Sequence, residues 1–213
     1  MKISQLVLGP IETNVYFFLD EETKEGFIVD PAMPSPAILH TIEELGMQLK
    51  YILLTHRHFD HITGVPFVKE HFPEAKVVIG EGDSAVLSNP EEFPPPFSME
   101  MPELKPCPAD LTVKEGDTLT VGGMTVRVME TPGHTPGGVI YLLDDEQIMI
   151  SGDTVFYHSF GRTDFPGGSM EQLKDSLARI GALPQDYNIL CGHGPMTTLS
   201  EERKADPYMS AFV

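Results

Sequence analysis

The run Thr55-His56-Arg57-His58-Phe59-Asp60-His61 sets three imidazoles and a carboxylate within six positions, directly behind the apolar stretch 51–54. Neutral imidazole nitrogen and carboxylate oxygen are natural ligands of a divalent metal ion. The end of a buried strand has little other use for so many titratable groups. On an extended segment His56 and His58, two positions apart, project to the same side and can grip one ion. Asp60 and His61 fall where the chain is expected to turn into a helix beginning near Ile62, and they can face a second ion nearby.

Three further candidates stand apart from this cluster, each beside glycine and each behind an apolar run. They are His134 in Thr131-Pro132-Gly133-His134-Thr135-Pro136-Gly137, Asp153 in Ser151-Gly152-Asp153-Thr154, and His193 in Cys191-Gly192-His193-Gly194-Pro195. Glycine lets the backbone turn sharply and approach a ligand closely, and sites in α/β folds gather at the carboxyl ends of strands. The candidate metal ligands are therefore His56, His58, Asp60, His61, His134, Asp153 and His193.

This ordered pattern, H-x-H-x-D-H followed by a His, an Asp and a last His, resembles that of the metallo-β-lactamase fold superfamily. Within it the chain is similar to the short single-domain glyoxalase II-like (hydroxyacylglutathione hydrolase-like) hydrolases, through the strings 131–137, 151–154, Gly161-Arg162-Thr163-Asp164-Phe165-Pro166 and Gly192-His193-Gly194-Pro195. The resemblance implies a four-layer αββα sandwich of two mixed sheets with outer helices. It implies one ion on His56, His58 and His134, a second on Asp60, His61 and His193, and Asp153 bridging them. Two zinc ions per chain are the expected cofactor, with iron or manganese as other loadings. Zinc lowers the pKa of bound water from about 15.7 to about 7, so no serine or cysteine nucleophile is needed.

The activity implied is hydrolysis of a thioester, S-lactoylglutathione or a related acyl-thiol, by a metal-bound hydroxide, with Asp60 or Asp153 as proton carrier. Fe(II)-dependent persulfide dioxygenases share the string 161–165 and are the alternative, with lactonases a third. Arg162 is the expected substrate-binding residue, holding an anionic group, with a salt bridge to a nearby acid as its other reading. Asp164 stands where two-domain glyoxalase II enzymes place a glutathione-binding tyrosine. The chain ends twenty residues after His193, short of the helical domain that completes their glutathione site, so the thiol half of the substrate is left open.

A length of 213 residues fits one domain spanning 1–213. The formal net charge of −18 speaks against nucleic acid or an anionic membrane as partner, since both call for a basic surface. A small-molecule substrate is expected instead, and the sequence leaves the oligomeric state open. Cys107 and Cys191 form no C-x-x-C pair, so a reducing, cytoplasmic location is expected. Cys191 reads as a buried thiol at a strand end. No secretory leader and no apolar run of about 20 residues is visible.

The elements that must carry these residues are legible from pattern. Strands are expected over 3–8, 15–19, 27–29, 51–54 and 77–79 in the first half, and over 118–121, 124–129, 139–143, 147–150 and 187–190 in the second. Gly122-Gly123 marks a tight hairpin. Ser35-Pro36 opens a helix whose stripe Ile38, Leu39, Ile42 and Leu45 ends at Gly46. A helix is expected over 62–71, and a short one over 200–205. Ser169 with Gln172 forms a capping box for another helix with Met170, Leu173, Leu177 and Ile180 on its core face. Seven prolines between Asn89 and Asp110, interleaved with Phe93, Phe97, Met99 and Met101, predict a long ordered loop wrapped over the core or walling the site. Asp30, at an early strand end, can orient a ligand imidazole or simply make a turn. His40, His71 and His158 lie outside the ligand pattern.

Overall fold

The first half of the chain builds a sheet from β1 (Lys2–Leu8), β2 (Thr13–Leu19), β3 (Glu25–Val29), β4 (Gln48–Leu53), β5 (Lys76–Gly80) and β6 (Leu111–Val113), side by side in that order. The computed structural model describes residues 1–94 and 102–210. β1 to β3 pair antiparallel and β3 to β6 parallel. The second half supplies β7 (Thr118–Val121), β8 (Met124–Glu130), β9 (Val139–Leu143), β10 (Ile148–Gly152), β11 (Val155–Phe156), β12 (Ser159–Phe160), β13 (Asn188–Cys191) and β14 (Thr197–Thr198). Its main sheet runs β14-β13-β10-β9-β8-β7, parallel only between β10 and β13, and β11 with β12 forms a separate hairpin.

The alternation of side chains along the strands sorts them into layers. In β2, Tyr16 and Phe18 face the second sheet and pack with Val126, Val128 and Tyr141. Val15, Phe17 and Leu19 face the opposite way, against a helical layer that includes Ile38 and Ile42. The far face of the second sheet, with Ile140, Leu142 and Ile189, is covered by Leu173, Leu177 and Ile180. Both faces of the central strands are thus buried, which is why β2 reads as an unbroken apolar run. The outcome is the αββα sandwich of two mixed sheets.

The helices begin and end where their caps dictate. In α1 (Pro36–Leu45), Ser35 Oγ accepts a hydrogen bond from the Ala37 amide, and Gly46 at φ 60° closes the helix. The expected helix over 62–71 is divided into α2 (Phe59–Ile62) and α3 (Val65–His71). Pro66, in the first turn of α3, has no N–H to bond the Ile62 carbonyl and ends the first turn there, and Gly64 lets the chain pass the preceding loop, where a Cβ would sit 2.1 Å from the Pro31 carbonyl oxygen. The Gly64 amide donates to the Ala32 carbonyl instead of continuing a helix. One turn, α4 (Ala85–Ser88), follows β5. In α5 (Met170–Gly181), Ser169 Oγ accepts from the Gln172 amide. The last helix, α6 (Leu199–Ala205), starts one residue before its expected position, capped by Thr198.

The proline-rich stretch 89–110 is described in part; Pro95, Pro96, Phe97, Met99 and Met101 lie outside the described residues. Of the described part, Phe93, Leu104, Cys107 and Ala109 pack on the outer layer of the first sheet. Phe93 and Pro94 also reach a small recess beside His58. Among the described residues no helix is long and apolar enough to cross a membrane.

Candidate metal centre

Every predicted ligand sits at or just past the C-terminal end of a strand. His56 and His58 follow β4, Asp60 and His61 occupy α2, His134 lies in the β8–β9 turn, Asp153 follows β10, and His193 follows β13. The two sheets bring these ends together. The donor atoms of His56, His58 and His134 lie within 4.8 Å of one another, and so do those of Asp60, His61 and His193. Asp153 stands between the trios, with Oδ1 3.3 Å from His61 Nε2 and Oδ2 3.6 Å from His134 Nε2 and 3.5 Å from His193 Nε2. Gly192 permits this approach, because a Cβ there would fall 2.2 Å from Asp153 Oδ1.

Hydrogen bonds at the rear of the imidazoles aim their front nitrogens. Thr55 Oγ1 donates to Asp30 Oδ2 at 2.6 Å, so it accepts from His56 Nδ1 at 3.0 Å. His134 Nδ1 donates to the Arg162 carbonyl at 2.7 Å, His193 Nδ1 to the Ile11 carbonyl at 3.0 Å, and His61 Nδ1 to Asp30 Oδ2 at 2.9 Å. With Nδ1 committed, Nε2 of each ring is the atom left to face the cluster. Two of these, His56 Nε2 and His134 Nε2, are buried without a hydrogen-bond partner. Buried polar atoms are rarely left so. Two orphaned imidazole nitrogens in one donor trio, with the ionised Asp153 carboxylate beside them, fit a divalent cation.

The electrostatics divide the cluster in two. Burial, reinforced by His61, holds His56 neutral, with its pKa well below the ordinary imidazole value. Burial and the neighbouring His134 lower His58 to about 3. These rings offer lone pairs rather than protons. Burial also works against charge on His61, but the Asp60, Asp153 and Asp30 carboxylates outweigh it and raise its pKa well above the ordinary value. His193 rises to about 9: burial opposes charge there, and Asp153 and Asp60 prevail. Asp153 resists burial through His61 and His193 and stays ionised. Without metal, this half of the cluster is thus an ion-pair network whose imidazoles hold the protons that a metal would displace.

Other sequence candidates find definite places. Asp30 is the orienting residue for His61, and its backbone sits in the left-handed region at φ 49°, an unfavourable conformation for a non-glycine residue. Arg162 lies at the mouth of a cavity of about 410 Å³ that also takes in Asp60, Asp153 and His193. Its guanidinium is exposed, paired with both oxygens of Asp164 at 2.6 and 2.7 Å, and 3.8 Å from the Phe165 ring centroid. Cys191 packs into the outer layer of the second sheet, its thiol pushed up to about 12 by burial, and belongs to neither donor trio. His40 pairs with Glu44 and His158 with Glu201 at the surface.

Some supporting residues carry no signal in the sequence. Thr13 Oγ1 donates to Asp60 Oδ2 at 3.0 Å. Asn14 Nδ2 donates to the Cys191 and Gly194 carbonyls, both at 2.9 Å, and its amide to the Gly192 carbonyl at 2.8 Å. Tyr16 Oη donates to the Cys191 carbonyl at 2.8 Å. Together they fasten the loop bearing His193 to the start of β2. The only clue was a pair of polar residues, Thr13 and Asn14, opening an otherwise apolar strand.

A family model described as the metallo-beta-lactamase superfamily matches residues 8–193. The hydroxyacylglutathione hydrolase GloC of Haemophilus influenzae is 30% identical over 213 residues, covering 99% of each chain. The human mitochondrial persulfide dioxygenase ETHE1 is 30% identical over 204 residues, 93% of this chain and 72% of that relative. Among solved structures, the BLEG-1 B3 metallo-beta-lactamase superposes with a TM-score of 0.87 at 34% identity, over 98% of this chain and 100% of that one. TTHA1623, solved in a di-iron-bound form, superposes with a TM-score of 0.83 at 30% identity, over 96% and 99%. The paired donor trios and the di-iron neighbour point to a binuclear metal site. By the span of the family match and the identity of its relatives, the chain belongs to the metallo-β-lactamase superfamily.

Proposed function

We propose that the protein is a metal-dependent thioester hydrolase, acting on S-lactoylglutathione or a related acyl-thiol. In this reading His56, His58 and His134 hold one ion, Asp60, His61 and His193 hold the second, and Asp153 lies between them. Two zinc ions are the proposed loading. The observation that carries the reading is the pair of orphaned nitrogens, His56 Nε2 and His134 Nε2, in one donor trio beside the second trio. It is supported by the end-to-end similarity to GloC. The two free cysteines fit the cytoplasm as the proposed compartment.

Bound zinc supplies Lewis acidity toward a carbonyl oxygen and a water acidified to a pKa near 7. The remaining work falls to the chain. Asp60 and Asp153 line the cavity as ionised carboxylates, each able to take the proton lost by the attacking water. Phe59, Phe156, Phe160 and Phe165 with Ile11 form its apolar wall. That wall receives the acyl group and sheds water around it, which strengthens polar contacts within the site. Arg162 at the mouth offers charge to an anionic end of the thiol once Asp164 yields to it. A thiolate leaves without a strong acid, so no residue is required to protonate it.

The similarity to ETHE1 favours one other reading, persulfide dioxygenation at a single Fe(II). Metal analysis of the native protein with two assays separates them. Two zinc per chain with thioester cleavage is the expected result. One iron per chain with oxygen uptake on glutathione persulfide would overturn it. Arg162→Ala is expected to raise KM for a glutathione thioester several-fold and leave kcat within about twofold, the pattern of lost uniform binding. An unchanged KM in steady-state kinetics would reduce Arg162 to its ion pair with Asp164.

A further inference from the structure

We propose that Asp83 is a positioning residue that holds the loops bearing His56, His58 and His134 at the separation an ion between them requires. The proposal rests on reading the donor cluster as a metal centre. Asp83 lies in a short turn after β5, is 1% exposed, and belongs to none of the donor groups found among the described residues. Its Oδ2 accepts from the Arg57 amide at 3.1 Å and from Thr135 Oγ1 at 2.6 Å, and its Oδ1 accepts from the Gly137 amide at 3.0 Å. Arg57 stands between His56 and His58 in the chain, and Thr135 follows His134. One carboxylate therefore binds the first sheet's ligand loop and the second sheet's ligand loop at once.

The surroundings give this contact little slack. A Cβ on Gly137 would fall 2.2 Å from the Asp83 amide nitrogen, and one on Gly80 would fall 2.1 Å from the Gly137 carbonyl oxygen. The turn 80–83 and the loop 136–138 thus meet backbone to backbone. The Arg57 side chain extends the link: Nε lies 3.7 Å from Asp83 Oδ1, and Nη2 donates to the Pro166 carbonyl at 2.7 Å. Pro166 closes the same loop whose Arg162 carbonyl receives His134 Nδ1. A buried carboxylate is costly unless its oxygens are satisfied, and all of these donors come from segments flanking one trio. Asp30 holds His61 directly and His56 through Thr55 Oγ1, so it serves both trios, whereas the Asp83 bonds reach only segments flanking the His56, His58 and His134 trio.

Full-length protein stripped of metal is titrated with Co(II) and followed by visible absorption, with a thermal melt of each variant. Wild type is expected to bind in two steps, and His134→Ala identifies the step that belongs to its trio. Thr135→Val removes one Asp83 bond at nearly constant volume. It is expected to weaken that step roughly 10- to 100-fold, the usual effect of losing a partner that orients a ligand, and to leave the other within about threefold. Thr135→Ser, which keeps the hydroxyl, is expected to restore wild-type affinity. Asp83→Asn, which replaces an acceptor oxygen with a donor, is expected to show at least the Thr135→Val loss. A folded Thr135→Val that binds both ions as tightly as wild type, or loses both equally, would overturn the proposal. Wild type that fails to take up two ions would overturn the metal-centre reading and the proposal with it.

Discussion

Asp153→Ala is expected to lower kcat by more than about a thousandfold and to reduce the bound metal by at least one ion per chain. The carboxylate is half-buried between two donor trios and lies within 3.6 Å of imidazole nitrogens from both. Its removal would leave two bound dications without the anion proposed to lie between them, and His61 and His193 would lose one of the carboxylates that balance them. Activation of water near neutral pH depends on the ions that this residue helps to retain. Asp153→Asn serves as the companion variant, because it keeps the shape and removes only the charge. Metal analysis of both variants, taken with their turnover, checks the expectation. Near-normal kcat with a full complement of metal in either would remove Asp153 from its proposed place.

Stripping the metal is expected to abolish turnover, to lower Tm by roughly 16–32 °C, and yet to leave the chain folded. Each of two ions held at about a thousand times its Kd stabilises the native state by about 4 kcal/mol, and each kcal/mol moves Tm by about 2–4 °C in a chain of this size. The fold should survive because three apolar layers, not the cluster, hold the sheets and helices together. The ion pairs among Asp60, Asp153, His61 and His193 also give that half of the cluster a paired metal-free form. This differs from small zinc domains, which unfold without their ion. Calorimetry before and after chelation, with near-ultraviolet circular dichroism and recovery on adding zinc, tests all three parts. A melt unchanged by chelation alongside undiminished activity would sink the metal-dependent reading.

The donors were legible because their chemistry is concentrated. His56, His58, Asp60 and His61 crowd one short run, and His134, Asp153 and His193 each stand beside glycine behind an apolar strand. The layers were legible because apolar runs such as Val15 to Leu19 in β2, buried on both faces, and the stripe on α5 carry strong signals. The anchors behind the donors were harder to read. Asp30 could be weighed from its strand-end position, but Thr13, Asn14, Thr55 and Asp83 are ordinary polar residues whose roles exist only across tertiary contacts. Asp83 and Gly137 lie 54 positions apart and meet only when the two sheets pack. Arg162 reads in the sequence either as an anion binder or as the partner of a nearby acid, and the structure shows both oxygens of Asp164 on it. The break between α2 and α3 has a local cause in Pro66, which lacks the N–H that would reach the Ile62 carbonyl and so stands in the first turn of α3. β11, β12 and β14 are two residues each, too short to leave a periodic trace.

The fastening of Asn14 to the loop at 191–194 bears on how the protein matures. Its side chain reaches a carbonyl 177 positions downstream. Closing so long a loop is entropically slow, and such contacts tend to limit folding rate. His193 cannot join Asp60 and His61 before that closure. A nascent chain could therefore capture an ion at His56 and His58 early, but loading of the second trio would wait for that closure. Occupancy of the second trio would then act as a quality check, separating molecules that have closed the loop from those holding a first ion alone.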